Sequence, residues 1–279
     1  MSTRALVLGG GGVAGIAWET GVLAGLAEHG VDPRSADRVI GSSAGATVAA
    51  QLGSGLPLAQ LFDRQAVPEL QNHELLPVGL TVAELLELWG KLLAETTDTT
   101  DLRRRAGQLA LTAETVPEAD RRAVIEARLP VHAWPTGPLA VTAVDAVTGE
   151  RRVFDRDSGV PLVDAVAASC AVPGIWPTVE IGGTRYLDGG VPSATNADLA
   201  AGHDRVLVLA PMADPFLPAE VERLTAAGAR VEVVAPDGAS LAAIGSDPLD
   251  PSTRTPAALA GRDQGRRIAA DLRGLWSVD

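Results

Sequence analysis

The pentapeptide GSSAG, residues 41–45, is the feature that most constrains the fold of this chain. It follows a short run, residues 38–40, that ends in apolar residues, and it precedes a stretch of small residues. A strand, a tight turn with a serine and then a helix form the context in which G-x-S-x-G holds a nucleophile. Gly41 and Gly45 suit such a turn, because it leaves no room for bulky neighbours and the helix must start close to the strand. Ser43 is therefore the first candidate catalytic residue.

A glycine-rich run, GGGGVAG at residues 9–15, follows an apolar run and precedes a predicted helix over residues 16–29. The backbone N–H groups of such a run converge where it enters a helix, and the helix dipole favours negative charge there. This loop can therefore hold a phosphate or stabilise an oxyanion.

The same run contains G-x-G-x-x-G at residues 10–15, which is also the pattern of a dinucleotide-binding loop. Such a site needs an acidic residue about 20 positions further on, at the end of the second strand. Asp32 lies at about that distance, but it stands between Gly30 and Pro33 in a predicted loop. A non-catalytic nucleotide-binding module stays open as an alternative.

A third motif, RYLDGG at residues 185–190, puts Asp188 at the end of a short apolar strand. Gly189 and Gly190 follow it, so its carboxylate is free from side-chain crowding and can approach a serine hydroxyl. Asp-Gly is also a common turn dipeptide, so this motif alone predicts no more than a turn.

Taken together and in this order, GGGGVAG, GSSAG and DGG resemble the motifs of the patatin-like phospholipase family of serine acyl hydrolases. The resemblance covers about residues 4–60 and 140–235, including the segment 167–174 before the aspartate. It implies an esterase or lipase that cleaves carboxylic esters of lipids or lipid-like molecules, without a cofactor or a metal ion.

The resemblance also implies roles for particular residues. Ser43 would be the nucleophile and Asp188 the general base of a Ser-Asp dyad, since serine needs a base to take its proton. The N–H groups around Gly10, Gly11 and Gly12 would form the oxyanion hole. The other motif positions are all glycines, namely Gly15, Gly41, Gly45, Gly189 and Gly190.

One position departs from the family pattern. The family usually carries Arg or Lys just before the last glycine of the oxyanion loop, where this chain has Ala14. A guanidinium there could attract an anionic head group. One interpretation of this departure is a preference for neutral esters over anionic phospholipids. The alternative is that position 14 serves only the packing of the loop.

An α/β-hydrolase-like triad of Ser43, Asp188 and His203 would have the order Ser, Asp, His that those enzymes show. His203, however, precedes the predicted strand at residues 205–210, which puts it at the amino-terminal edge of a parallel sheet. The triad stays open as the enzymatic alternative.

Alternating strands and helices predict an α/β fold with a mainly parallel central sheet and helices on both faces. The predicted strands lie at residues 4–8, 37–41, 139–145, 151–154, 185–188, 205–210 and 230–235. Residues from about 55 to 130 are instead helical and strand-poor. We expect one patatin-like domain over residues 1–279, with a helical insertion or cap at about 55–130.

Apolar residues at helical spacing mark one segment of that insertion. They are Val82, Leu85, Leu86, Trp89, Leu92 and Leu93. The pattern favours packing against the sheet. The alternative is a cap over the serine that forms an acyl-chain pocket or a lipid-facing surface, with transient contact to a membrane.

Composition narrows the functional classes further. The formal net charge of −12 at pH 7 argues against nucleic acid as a partner. The single cysteine, Cys170, excludes an intramolecular disulfide, and no cluster has metal-ligand spacing. No targeting signal or membrane-spanning run is evident, so we expect a cytoplasmic protein.

Overall fold

The computed structural model describes residues 2–96 and 98–276. Eight strands form one sheet within these residues. The strands are β1 (Arg4–Leu8), β2 (Arg38–Gly41), β3 (Leu139–Asp145), β4 (Arg151–Phe154), β5 (Val179–Ile181), β6 (Thr184–Asp188), β7 (Arg205–Leu209) and β8 (Arg230–Val234). The α-helices are α1 (Gly12–Glu28), α2 (Ala44–Leu52), α3 (Leu58–Ala66), α4 (Val82–Glu95), α5 (Thr99–Thr112), α6 (Glu118–Arg128), α7 (Leu162–Ser169), α8 (Leu217–Ala226), α9 (Gly238–Ile244) and α10 (Arg254–Trp276).

The strand order in the sheet is β5-β6-β3-β2-β1-β7-β8, and β4 also pairs with β3. Strands β1, β2, β3, β7 and β8 are parallel, which confirms the predicted mainly parallel sheet. The other three strands pair antiparallel, so the sheet is mixed. The short strand β5 was not predicted, because its three residues carry too weak a pattern.

The two faces of the sheet pack into different apolar clusters. In β1, Leu6 and Leu8 belong to the larger cluster, whereas Ala5 and Val7 belong to a second one. Side chains alternate between the faces of a strand, so helices cover both faces, as predicted. The central strands are consequently apolar throughout rather than alternating.

Helices α1 and α10 pack with their backbones in close contact. A Cβ atom added at Gly21 would lie 2.2 Å from the carbonyl oxygen of Ala258, and one at Gly25 would lie 2.2 Å from that of Arg262. Glycines of α10 meet α1 in the same way, with a Cβ at Gly261 falling 2.4 Å from the oxygen of Trp18. The absence of side chains at these positions lets the two helices approach.

Between β2 and β3 the described chain is helical and contains no strand. The predicted packing of the apolar residues of α4 against the sheet holds only in part, because none of the residues of α4 is fully buried. Trp89 contacts a small cluster that includes Val144 and Leu187 of the sheet. Leu86 is 56% exposed.

The division into one domain with an insertion or cap at about 55–130 stays a prediction.

Candidate active site

Ser43 lies in the turn between the end of β2 and the start of α2. Its φ of 54° is in the left-handed region, which a residue other than glycine rarely adopts. Its N–H donates to Oγ of Ser169 at 2.9 Å. A Cβ at Gly45 would lie 2.0 Å from the carbonyl oxygen of Leu8. The turn therefore has the strained geometry that exposes a nucleophile between a strand and a helix.

Asp188 ends β6 and contacts Ser43 directly. The Ser43 hydroxyl donates to its Oδ2 with an oxygen–oxygen distance of 2.7 Å, and the Gly190 N–H donates to its Oδ1 at 2.8 Å. Strand β6 is antiparallel, and its register sets Asp188 opposite Ala143 of β3. A Cβ at Gly189 would lie 2.1 Å from the Thr142 carbonyl oxygen, so this turn needs glycine.

Burial changes the proton affinity of this carboxyl. Desolvation raises the pKa of Asp188 to about 7, against the lowering effect of the hydrogen bonds from Ser43 and Gly190. Only 4% of Asp188 and 8% of Ser43 is exposed. A carboxyl with this pKa is partly ionised at neutral pH, so it can both accept and return a proton.

The glycine loop connects β1 to α1 and lies against Ser43. A Cβ added at Gly10 would be 3.5 Å from the Cβ of Ser43. The Gly10 N–H donates to the carbonyl of Ala194 at 2.8 Å, so this predicted oxyanion donor is already engaged. The Gly11 N–H has no acceptor within the described residues. Gly12 is the first residue of α1, so its N–H has no partner inside the helix.

A buried carboxyl lies beneath this loop. Oε1 of Glu19 accepts the N–H of Gly9 at 2.9 Å, and Glu19 is completely buried. Burial raises the pKa of Glu19 well above its ordinary value, despite the hydrogen bond from Gly9. The Glu19 carboxyl thus ties α1 to the start of the glycine loop.

Two residues of the site were not identified from the sequence. Ser169 accepts the Ser43 N–H, as described above. Nδ2 of Asn196 donates to Oγ of Ser42 at 2.9 Å and to the carbonyl of Gly189 at 2.8 Å. Asn196 thus ties the serine turn to the aspartate turn. No pattern in one sequence marks either residue, because both act through contacts between distant segments.

Ser43 lines a cavity of about 20 Å³ between α1, α6 and the segment after α7. This space holds about one water molecule. Gly12 and Cys170 line the cavity as well. Two arginines of α6, Arg121 and Arg128, also lie in its wall. This space is smaller than an acyl ester, so we expect it to widen around a substrate.

The structure separates other sequence candidates from this site. His203 precedes β7, and its Nδ1 lies 3.1 Å from the Ala200 carbonyl oxygen. In the parallel sheet, the start of β7 is level with the start of β2. Ser43 follows the end of β2, so His203 and Ser43 lie at opposite edges of the sheet. Asp32 caps a short 3₁₀ helix and pairs with Arg34 at 2.6 Å rather than ending a strand.

Ala14 is completely buried in the larger apolar cluster. Its N–H donates to the carbonyl of Pro248 at 3.0 Å. The position therefore serves packing of the loop and α1. A longer side chain there would have to displace core residues before it could reach Ser43.

The fold and the site define an α/β protein in which a strained serine turn, an aspartate turn and a glycine loop meet. A sequence model of the family described as patatin-like phospholipase matches residues 6–201, which is more than half of the chain. The chain therefore belongs to the patatin-like phospholipase family, and at the family level it is a lipid-hydrolysing enzyme. No curated protein sequence matches it significantly.

Among solved structures, the chain is similar to VipD from Legionella pneumophila, with 14% identity and a TM-score of 0.49 over 97% of this chain and 67% of that one. It is also similar to the type III effector ExoU, with 17% identity, a TM-score of 0.42 and 97% coverage of this chain. A structure of ExoU with SpcU from Pseudomonas aeruginosa matches with 16% identity and a TM-score of 0.44 over 99% of this chain. The chain spans 53% of the length of both latter matches.

Proposed function

We propose that this protein is a serine acyl hydrolase that cleaves carboxylic esters of lipids or lipid-like molecules through a Ser-Asp dyad. The contact of 2.7 Å between the Ser43 hydroxyl and the Asp188 carboxylate is the observation that carries this proposal. Both residues are buried, so this hydrogen bond is not an incidental contact at the surface.

In the proposed mechanism, Oγ of Ser43 attacks the ester carbonyl while Asp188 accepts the hydroxyl proton. The N–H groups of Gly11 and Gly12, at the amino terminus of α1, stabilise the oxyanion of the tetrahedral intermediate. Collapse of the intermediate releases the alcohol, which takes the proton from Asp188. Water then attacks the acyl-enzyme with Asp188 as base, and the acid and free Ser43 are released.

The position of His203 favours the dyad over a triad. It lies at the opposite edge of the sheet from the serine turn. The nucleotide-binding alternative needs an acidic residue at the end of the second strand. Asp32 does not lie there, since it caps a short 3₁₀ helix and pairs with Arg34.

We further infer that part of the helical insertion contacts lipid transiently. Leu76 and Val78, just before α4, are 68% and 58% exposed, and Leu86 within α4 is 56% exposed. None of the described helices is long and apolar enough to cross a membrane. Because the net charge is −12, attraction to anionic lipid is weak and the contact would be apolar. A cytoplasmic location remains part of the proposal.

The proposal is tested with a fluorophosphonate probe and with p-nitrophenyl esters of increasing chain length. We expect wild-type protein to be labelled and to hydrolyse the esters, and Ser43→Ala to lose both properties while keeping its circular dichroism spectrum. His203→Ala is the control for the triad and should change kcat by less than about tenfold.

Three results would contradict the proposal. Labelling or turnover that survives in Ser43→Ala would remove the serine from its role. A loss of several orders of magnitude in well-folded His203→Ala would favour the triad instead. Nucleotide binding by a wild-type protein that the probe does not label would support the nucleotide-binding module.

A further inference from the structure

Helix α6 brings two arginines into the wall of the cavity that Ser43 lines. Arg121 is 6% exposed and Arg128 is 4% exposed, so both guanidinium groups are buried. Nothing in the motifs identified these residues, because α6 lies in the segment where the family resemblance is poor. The two arginines differ in how well their donors are satisfied.

Arg128 is held by a carboxylate in two-pronged geometry. Its Nε donates to Oε1 of Glu74 at 2.9 Å, and its Nη2 donates to Oε2 at 2.6 Å. Glu74 lies 3.9 Å from Nη1 of Arg254 as well. Despite burial, the positive charges and hydrogen bonds around it lower the pKa of Glu74, so it is ionised. Glu74 is therefore committed to Arg128.

Arg121 lacks such a partner. Its Nη1 lies 3.6 Å from Oε2 of Glu74, which is too long for a hydrogen bond. Neither its Nε nor its Nη1 has a hydrogen-bond acceptor in the described part of the chain. The guanidinium carbon lies 3.8 Å from the centre of the Trp176 ring, so the indole fixes the plane of the group.

Arg121 stays charged under physiological conditions. Burial, and then the like charge of Arg128, lower its pKa to about 9, which is still above neutral pH. The single carboxylate of Glu74 is shared with Arg128 and Arg254, so Arg121 has only a long ion pair with it. A buried guanidinium with unused donors is costly unless an anion pairs with it closely. Guanidinium groups match the oxygens of phosphate and carboxylate groups in two-pronged geometry.

We propose that Arg121 binds an anionic group of the ester substrate, a phosphate or a carboxylate, when the cavity that Ser43 and Arg121 line widens around the substrate. The inference rests on the proposed function, since it assigns the class of substrate to the same site. It reverses the preference for neutral esters expected from Ala14, because the cation comes from α6 rather than from the glycine loop.

The alternative role for Arg121 is to stabilise the oxyanion formed on the ester carbonyl. That role would affect every ester equally, because every ester forms the same oxyanion. Binding of a substrate anion would affect only esters that carry the anion. A matched pair of esters therefore separates the two roles.

The kinetic test uses monohexanoylglycerol and monohexanoylglycerol 3-phosphate, which differ only in the phosphate. In Arg121→Gln we expect kcat/KM for the phosphate ester to fall about tenfold or more, mainly through KM, and that for the neutral ester to change less than about threefold. Arg122→Gln is the matched control. Arg122 is the next residue of α6, 39% exposed and paired with Asp164 at 2.7 Å, and its loss should not change the preference.

Two kinetic results would overturn the proposal. Equal losses on both esters in Arg121→Gln would assign Arg121 to the oxyanion. No loss on either ester would show that it touches neither group. Arg121→Lys, which keeps the charge but not the planar fork, provides a second folded variant and should have an intermediate preference. Circular dichroism and thermal melting verify that each variant is folded.

A binding test keeps the inference separate from the proposed function. Calorimetry in the Ser43→Ala background would compare 1-O-hexylglycerol 3-phosphate, 1-O-hexylglycerol and inorganic phosphate, none of which can be hydrolysed as an ester of a carboxylic acid. We expect the phosphate ether to bind about tenfold more tightly to Ser43→Ala than to the double variant that also carries Arg121→Gln. The neutral ether should bind these two proteins with equal affinity.

The two hypotheses fail in different ways. Failure of wild-type protein to react with the probe or any ester would reject the proposed function, and the calorimetric result would still decide the role of Arg121. Equal binding of both ethers would reject the anion site. If inorganic phosphate binds as tightly as the phosphate ether, Arg121 binds free phosphate, and the hypothesis that it binds a group of the substrate is rejected.

Discussion

At the scale of single residues, Asp188 must meet two opposing demands. It must be ionised to accept the Ser43 proton, yet burial disfavours its charge and raises its pKa to about 7. Unfolded aspartate has a pKa of about 3.9. Between about pH 4 and 7, Asp188 is protonated in the folded protein and ionised in the unfolded chain. The contribution of Asp188 to the free energy of unfolding is therefore fully present below about pH 4 and is lost as the pH rises through about 7.

Asp188→Asn should therefore abolish turnover and stabilise the fold. The amide oxygen can still accept the Gly190 N–H, while the cost of a buried negative charge disappears. We expect the free energy of unfolding to rise by about 2–4 kcal/mol at pH 8 and to change little at pH 4. Urea unfolding at both pH values measures the difference. A variant that is less stable than wild type at pH 8 would contradict the burial argument.

The activity of the wild-type protein should follow the same titration. Only the ionised carboxylate can accept the serine proton, so kcat/KM should rise with pH through about 7 and then level off. A pH–rate profile on a neutral soluble ester measures this. A profile that is flat between pH 5 and 8 would show that Asp188 is not the base.

The sequence predicts some residues of the site better than others. Ser43, Asp188 and the glycines are marked by motifs whose backbone geometry only small residues allow, so they could be placed in advance. The engagement of the Gly10 N–H by Ala194 could not, because it depends on a segment far along the chain. The same applies to Asn196 and Arg121, whose types are common and whose positions only tertiary structure reveals.

At the scale of secondary-structure elements, the pattern in α4 correctly predicts a helix, whereas its packing against the sheet is only partial. Thr81 and Glu84 form a capping box that starts the helix, as helix signals in a sequence suggest. Helical periodicity identifies an apolar face and does not identify what covers it. In the structure that face is only partly covered, and Leu86 extends from it.

Leu86→Glu should reduce activity on lipid in membranes without affecting soluble esters. The change places a charge on the apolar surface proposed to contact lipid, and Leu86 is not part of the core. Leu241→Glu in α9 is the matched control, since Leu241 is 57% exposed. Hydrolysis of vesicles should fall about tenfold for Leu86→Glu and stay within about twofold for the control. Equal effects of the two variants would remove α4 from the proposed lipid contact.

At the scale of the whole molecule, α1 connects the site to the end of the chain. The glycine loop begins α1, and the glycines of α1 and α10 bring their backbones together. The family match ends at residue 201, whereas α10 begins at Arg254. The last helix is nevertheless an integral part of the core that holds the loop in place.

Gly261→Val should destabilise the protein by at least about 2 kcal/mol, because its Cβ would fall 2.4 Å from the backbone oxygen of Trp18. Gly90→Ala is the control. Gly90 lies in α4, and a Cβ there meets nothing within 4 Å, so alanine should stabilise by up to about 1 kcal/mol. Thermal melting compares the two variants. A Gly261→Val protein as stable as wild type would mean that α1 and α10 can separate freely.

The size of the cavity beside Ser43 has a consequence for the kinetics of the protein. A space of about 20 Å³ holds about one water molecule and is smaller than an acyl chain. If the proposed hydrolase activity holds, we expect this space to widen before an ester reacts, and the widening can limit the turnover rate. We predict low activity on dissolved esters in dilute solution. Lipid aggregates that stabilise the open form would shorten the delay before steady-state hydrolysis begins. The exposed apolar surface around α4 would be the part of the protein that contacts them.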